Sequence, residues 1–227
     1  MVNILGEFDI SNGSFVRSRA NVLKALRLQP AITQALERAG YGALVDSVIS
    51  AYDDLAVLTE EVFKEAGIPF EYTAFDVEMI EAIKTIDLDG FAQIGDEAIS
   101  AIRDSIIDVV TNEQSSADLA RTIRDNVSQT LKRHSNTYAR TSLYNYMQTV
   151  TNIKAEDAGI TKFRYTGELQ GNSRNFCQRM VGRVLTKEEI DAIQPASQSD
   201  GSPHLPNVFV NRGGWNCQHV WDPVTDG

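Results

Sequence analysis

The sequence predicts an α+β protein, in which a mostly helical amino-terminal region is followed by a small α+β carboxy-terminal module. Through the first two thirds of the chain, apolar residues recur at three- and four-residue steps, which is typical of amphipathic helices. After Gly159 short alternating segments are separated by Gly, Pro and Asn, which is typical of strands and turns. The chain has 227 residues, 42% of them hydrophobic, so a folded core is expected rather than disorder.

The first helices are placed by their end signals. A helical segment runs from about Phe15 to Leu28, and Pro30 suits the first turn of the next helix because its backbone N–H is not needed there. From Tyr41 an amphipathic helix continues until Gly67 and Pro69, which end it.

Further helices follow in the middle of the chain. One covers Ala74–Ile86, and the next carries an apolar stripe from Phe91 to Val109. Ser115 and Asp118 have the spacing of a capping box at the start of another helix. The last long helix is expected from His134 to Asp157.

The carboxy-terminal module contains shorter elements. Thr161–Thr166 alternates aromatic and basic residues, which predicts a strand, and Thr186 with Glu189 predicts a capped short helix. Residues 195–206 are rich in Pro, Ser and Gln and predict an irregular loop. Two further strands are predicted at Val208–Val210 and Cys217–Trp221, connected through Arg212-Gly213-Gly214.

Charge divides the chain into two halves. Residues 1–120 carry 8 Lys and Arg against 21 Asp and Glu, a net of −13, whereas residues 121–227 carry 13 against 10, a net of +3. The acidic half repels nucleic acid, while the second half can contact phosphate. The predicted division is an acidic helical region at residues 1–110 and a second domain at residues 111–227, whose α+β tail covers residues 160–227.

Membrane and common enzyme classes are disfavoured. No apolar stretch approaches the roughly 20 residues that span a bilayer, and the first 30 residues lack a secretory signal, so the chain is expected to be made in a cytoplasm. It also lacks a glycine-rich phosphate loop, a dinucleotide fingerprint, His-Glu-x-x-His and Gly-x-Ser-x-Gly. The enzyme classes that depend on these motifs are therefore disfavoured.

Both cysteines and two of the three histidines lie in the tail, namely Cys177, His204, Cys217 and His219. Thiolates and imidazoles are zinc ligands, and a small module benefits from a metal in its core, so a structural zinc is one interpretation. Ordinary buried thiols are another. A Cys177–Cys217 disulfide is disfavoured in a reducing cytoplasm, and neither cysteine has the surroundings of a catalytic nucleophile.

The order of several short motifs resembles the phage Mu F-like minor head protein family. The resemblance covers roughly residues 90–223 and depends on residues 116–120, 139–141 with Asn145, 159–165, 172–177, 185–190 and 213–219. The family usually has Glu where this chain has Ser142. The matching motif positions are Arg140, Thr141, Asn145, Arg174, Cys177, Cys217 and His219.

The resemblance implies a minor structural component of a tailed-phage head, located in the virion and made in the host cytoplasm. It would act in head morphogenesis or DNA packaging near the portal vertex, in multiple copies per particle. Its expected partners are the portal protein, the major capsid protein and packaged DNA, with no membrane. The resemblance implies no established enzyme activity.

Two functions of different classes are therefore predicted. In the first, the protein assembles a phage head through protein contacts, and arginines of the second half contact DNA phosphate, namely Arg164, Arg174, Arg179, Arg183 and Arg212. In the second, it is a metal-dependent hydrolase, such as a nuclease-like effector delivered with phage DNA, in which His204 or His219 belongs to a water-activating metal site.

Overall fold

The fold was described from a computed structural model, which describes residues 6–65, 67–193 and 207–225. It is α+β, as predicted, with long helices first and a three-stranded antiparallel sheet near the carboxyl end. Within the described ranges no helix combines the length and apolar character that crossing a bilayer requires.

The elements occur in the following order along the chain: β1 (Ile10–Ser11), β2 (Ser14–Phe15), α1 (Arg19–Leu26), α2 (Gln29–Arg38), α3 (Tyr41–Glu65), α4 (Ala74–Thr111), α5 (Ser116–Thr122), a π-helical stretch (Ile123–Ser128), α6 (Gln129–Asp157), β3 (Lys162–Thr166), α7 (Asn175–Met180), β4 (Val184–Thr186), α8 (Lys187–Asp191), α9 (Val208–Asn211) and β5 (Val220–Pro223).

The chain forms two compact units, each assembled from separate segments. The first comprises the residues up to Ser47 together with Leu88–Asn136, and the second comprises Val48–Asp87 together with the residues from Thr137 onward. The division at residue 110 stays a prediction of the sequence.

The first unit has an aliphatic core between its helices. Ile32 of α2 and Ile106 of α4 are almost fully buried there, with Leu119 of α5 and Ile123 of the π-helical stretch. The Ser115–Asp118 capping box is confirmed, since each residue's side chain binds the other's backbone N–H. Pro30 lies in the first turn of α2, also as predicted.

Residues 10–15 form a hairpin that the sequence analysis did not predict. Asn12 and Gly13 connect β1 to β2 with φ values of 51° and 81°. A two-residue Asn-Gly turn with positive φ at both positions matches the right-handed twist of a hairpin. Phe15 therefore belongs to β2, and α1 begins only at Arg19, behind the capping residue Ser18. The predicted helix start at Phe15 was wrong.

Helix α4 is continuous for 38 residues, whereas the sequence predicted two helices. Gly95, within α4, lies against the ring of Tyr41, because a Cβ added at Gly95 would stand 3.1 Å from Tyr41 Cε1. The Tyr41 hydroxyl donates to the carbonyl of Phe91 at 2.7 Å. The glycine thus accommodates an aromatic ring without ending the helix.

The second unit contains two buried polar centres among its helices. Lys154 of α6 and Asp76 of α4 form an ion pair at 2.5 Å, with their side chains 4% and 3% exposed. Asp87 of α4 accepts hydrogen bonds from Tyr52, from Tyr138 at 3.1 Å and from Ser142 at 2.9 Å. These polar contacts connect α3, α4 and α6 within this unit.

The sheet has strand order β4-β3-β5, with both pairings antiparallel. Phe163 and Tyr165 of β3 are fully buried and point to one face, while Lys162 and Arg164 are exposed. Gln148 of α6 donates to the carbonyl of Trp221 and accepts from its N–H, which fixes β5 against α6. The predicted strand at Thr161–Thr166 and the Thr186–Glu189 capping box are confirmed.

The strand predicted at Val208–Val210 was wrong, and the strand predicted at Cys217–Trp221 overlaps the observed β5 only at Val220 and Trp221. Residues 208–211 form a helical turn, because the Asn207 side chain accepts a hydrogen bond from the N–H of Val210 at 3.1 Å. The last strand begins only at Val220 and pairs with β3. Cys217 and His219 therefore lie in the loop before β5.

Candidate metal centre

Three of the four predicted ligands come together in the second unit. The donor atoms of Cys177, Cys217 and His219 all lie within 4.8 Å of one another, and all three residues are buried. The Sγ atoms are 3.9 Å apart, and Cys217 Sγ is 3.7 Å from His219 Nδ1. His204 lies outside the described residues, so its role as a ligand stays a prediction.

Two separate segments bring these donors together. Cys177 lies in α7, on the side that packs into the core with Phe176 and Met180. Cys217 and His219 lie in the loop that follows α9. The cluster therefore depends on contacts between segments 40 residues apart in the sequence.

Glycines at two positions leave the space that the cluster occupies. A Cβ at Gly213 would stand 2.5 Å from Cys177 Sγ and 3.0 Å from Cys217 Sγ. A Cβ at Gly167 would stand 2.7 Å from Cδ2 of His219. The N–H of Gly213 also donates to Cys217 Sγ at 3.3 Å, which stabilises negative charge on that sulfur.

Tyr165 of β3 forms the floor of the cluster. Its hydroxyl lies 3.6 Å from Cys177 Sγ and 3.4 Å from Cys217 Sγ, and its ring stacks on that of His219 at 5.4 Å between centroids. Burial, followed by the nearby sulfurs, raises the pKa of Tyr165, so its phenol stays protonated and able to donate.

The two cysteine thiols differ in the direction in which their pKa is shifted. The hydrogen bond between them raises the pKa of Cys177 and lowers the pKa of Cys217, which also accepts from Tyr165 and from the backbone. The surroundings therefore favour negative charge on Cys217 over negative charge on Cys177. A thiolate is the form that binds a metal ion.

A polar cleft of about 530 Å³ opens beside the cluster. All three donors line it, together with Arg140 of α6, Arg174 and Glu168. Its described lining also includes five amide or hydroxyl residues, namely Gln170, Asn172, Ser173, Asn216 and Gln218.

The other motif positions surround the same region. Thr141 is buried and accepts a hydrogen bond from the N–H of Asn216 at 3.1 Å. Asn145 accepts from the Arg212 guanidinium at 3.0 Å and donates to Asn211 at 3.2 Å. Arg174 donates to the carbonyl of Trp215 at 2.6 Å. Arg140, Thr141 and Asn145 of α6 thus hold or face the loop that contains Cys217.

The arginines grouped as phosphate contacts differ in exposure. Arg164, Arg179 and Arg183 are exposed, and Arg174 is half-buried at the cleft. Arg212 is only 4% exposed, and its guanidinium also donates to the carbonyls of Tyr144 and Val210. Arg212 therefore uses its hydrogen bonds inside the protein to hold the loop after α9.

Several residues of the site have roles that the sequence analysis did not assign. Tyr165, Gly167, Gly213 and Glu168 contact the donors or line the cleft. The pair Gly213-Gly214, shortly before Cys217, was the one local signal of a close approach. The roles of Tyr165 and Glu168 depend on tertiary contacts that no local pattern predicts.

The comparisons with known proteins add no relatives. Scans against protein-family models, curated proteins and solved structures each find no match to this chain. The donor cluster and its cleft are therefore interpreted from their own geometry.

Replacing Gly213 with alanine should weaken metal binding at least tenfold, because the added Cβ would overlap both sulfurs. Gly171→Ala is the matched control, since a Cβ there meets nothing within 4 Å. Competition with a chromophoric zinc chelator measures both affinities. Equal affinities in the two variants would show that the donors do not hold the metal together.

Proposed function

We propose that the protein is a minor structural protein of a tailed-phage head, which acts in head assembly or DNA packaging near the portal through protein contacts. What supports the proposal is the convergence of the resemblance's motif positions. Arg140, Arg174 and the three donors line one cleft, although α6 and the loop before β5 are far apart in the sequence. These residues resemble the family's motifs in their order along the sequence, and they also lie close together in the fold. Both facts are expected if they form one structural site.

A zinc ion is the proposed metal of this site. In a tetrahedral zinc site with Zn–S bonds of about 2.3 Å and Zn–N bonds of about 2.05 Å, two sulfurs lie about 3.8 Å apart, and a sulfur and a nitrogen about 3.6 Å apart. The observed separations of 3.9 Å and 3.7 Å agree with both edges. Cys177, Cys217 and His219 would hold the ion, which would cross-link α7 to the loop before β5.

The proposed contacts with portal or capsid subunits need apolar surface, and the second unit exposes it. Leu58 and Val62 of α3 are 50% and 52% exposed, and Phe75 and Ile86 of α4 are 68% and 66% exposed. Exposed apolar side chains that form a contiguous patch are typical of surfaces that bind other proteins. The exposed arginines Arg164, Arg179 and Arg183 are the proposed contacts with packaged DNA.

Locating the protein in purified phage particles tests this function. We expect mass spectrometry to find several copies in particles, and gold labelling to place them at the portal vertex. An abundant cytoplasmic host protein, measured in the same particles, controls for trapping during assembly. Absence of the chain from particles, while it is present in infected cells, would overturn the proposal.

A metal-dependent hydrolase is the second candidate function, and one observation favours it. All three donors line a cleft that solvent can enter, and two cysteines with one histidine also form the protein ligands of some catalytic zinc sites. Cleavage of plasmid or single-stranded DNA by the zinc-loaded protein, lost in Cys217→Ser, would establish this activity.

A further inference from the structure

The donor cluster supplies three protein ligands, whereas tetrahedral zinc takes four. All three donors belong to the lining of the cleft, so a ligand that enters the cleft can reach an ion held between them. The cleft therefore provides access to a fourth coordination position.

A buried nitrogen at the site also lacks a partner. His219 is only 6% exposed, and its Nε2 atom is buried. A buried polar atom normally has a hydrogen-bond partner, but Nε2 has none within the described part of the chain. A histidine that binds zinc through one ring nitrogen normally donates the other N–H to an acceptor. No described residue provides that acceptor, so Nε2 stays unsatisfied unless a bound ligand or a rearranged side chain reaches it.

The charges in the cleft favour an anion. Two cysteine thiolates balance the double positive charge of zinc, and a zinc-bound imidazole is neutral. The other charged groups in the described lining are the guanidinium groups of Arg140 and Arg174 and the carboxylate of Glu168. Positive charge therefore exceeds negative charge in the cleft. Guanidinium groups match phosphate oxygens in geometry and charge, and the amide and hydroxyl side chains add donors.

From these three observations we infer that the cleft is a phosphate-binding site, in which a phosphate oxygen occupies the fourth position of the metal and Arg140 and Arg174 neutralise the remaining charge. This inference rests on the zinc site of the proposed function. It adds a ligand class to a site whose metal would otherwise only stabilise the fold.

Cobalt-substituted full-length protein provides the test, because its visible absorption reports the ligands of the metal. Titration with inorganic phosphate should shift the d–d bands in a saturable way. Arg140→Gln should weaken the apparent phosphate affinity at least fivefold, since it removes one cleft guanidinium. Arg133→Gln is the matched control, because Arg133 is exposed on α6 and lies outside the described lining of the cleft, and it should leave the affinity unchanged.

The outcomes separate this inference from the zinc proposal. A protein that binds no cobalt overturns both. A protein that binds cobalt but whose spectrum does not respond to phosphate, as expected if His204 completes the coordination, overturns the phosphate site alone. Equal losses in Arg140→Gln and Arg133→Gln would also overturn it, because the effect would then be one of net charge.

The source of the phosphate is distinguished with a second probe. A single-stranded oligonucleotide of ten nucleotides should shift the same bands and compete with inorganic phosphate if the ligand is a nucleic-acid backbone. A response to inorganic phosphate without a response to the oligonucleotide would assign the site to a free phosphate. Either result supports the phosphate chemistry of the cleft.

Discussion

Replacing Cys217 with serine should remove stoichiometric zinc binding and destabilise the carboxy-terminal module. Cys217 is 3% exposed and belongs to the same buried cluster as Tyr165, Phe209 and Trp221, so the metal would be part of that core. If zinc is present at about 1,000 times its dissociation constant, its loss costs about 4 kcal/mol of unfolding free energy. Metal analysis of the purified protein and thermal unfolding with and without chelator measure both effects.

A packing variant of the same core separates metal loss from general damage. Phe209→Leu removes aromatic contacts with Phe163 and Trp221 but leaves all three donors in place. Chelator should still lower the unfolding temperature of Phe209→Leu, whereas it should not change that of Cys217→Ser. The proposal of a zinc site is wrong if Cys217→Ser unfolds at the same temperature as the original protein and if chelator changes the two unfolding temperatures equally.

Replacing Lys154 with methionine should destabilise the protein by about 3 to 5 kcal/mol at neutral pH, because it leaves the Asp76 carboxylate buried without its cation. Lys154 is 3% exposed and also donates to the carbonyl of Glu71 at 3.0 Å. Asp76 keeps its hydrogen bonds from the backbone and the hydroxyl of Thr73, which offset part of the loss. Urea unfolding monitored by circular dichroism gives the change in free energy.

The pH dependence distinguishes charge from packing in this variant. Burial alone would raise the pKa of Asp76, but hydrogen bonds from Lys154 and Thr73 outweigh it and hold that pKa below its usual 3.8. The ion pair therefore stabilises the fold above about pH 4, and this stabilisation is lost as the pH falls through the lowered pKa. The difference between Lys154→Met and the original protein should shrink at pH 3.

The double variant Asp76→Asn with Lys154→Met provides the control. Asparagine can still accept from Thr73 without carrying a charge, so the double variant should be more stable than Lys154→Met alone at pH 7. A loss of the same size at pH 3 and pH 7, with no recovery in the double variant, would assign the effect of Lys154 to packing.

Local signals in the sequence predicted much of this fold. The capping boxes at Ser115 and Thr186 were predicted because both partners lie within one helical turn, where few other contacts compete. The helical turn at Val208–Asn211 was missed because its β-branched residues favour a strand, whereas the Asn207 side chain caps a helix there. The predicted break in α4 between Ile86 and Phe91 was wrong. Asp87, which lies there, accepts hydrogen bonds from Tyr52, Tyr138 and Ser142, and no local pattern predicts these contacts.

The candidate site shows the same limit. Ligand chemistry selected Cys177, Cys217 and His219 together with His204, since few residue types bind zinc and these four lie in a small module. The cleft depends instead on α6, which brings Arg140 beside a loop more than 70 residues away in the sequence. Periodicity predicts which face of α6 is buried but not which loop covers that face.

The position of β3 in the middle of the sheet has a consequence for synthesis of the chain. Tyr165 of β3 and Cys217, which precedes β5, are separated by 52 residues. At translation rates of 5 to 20 residues per second, roughly 3 to 10 s pass between the appearance of β3 and that of the segment that pairs with it. During that interval one edge of β3 offers unpaired backbone groups to neighbouring chains, so the nascent molecule is open to edge-to-edge association until β5 has been synthesised.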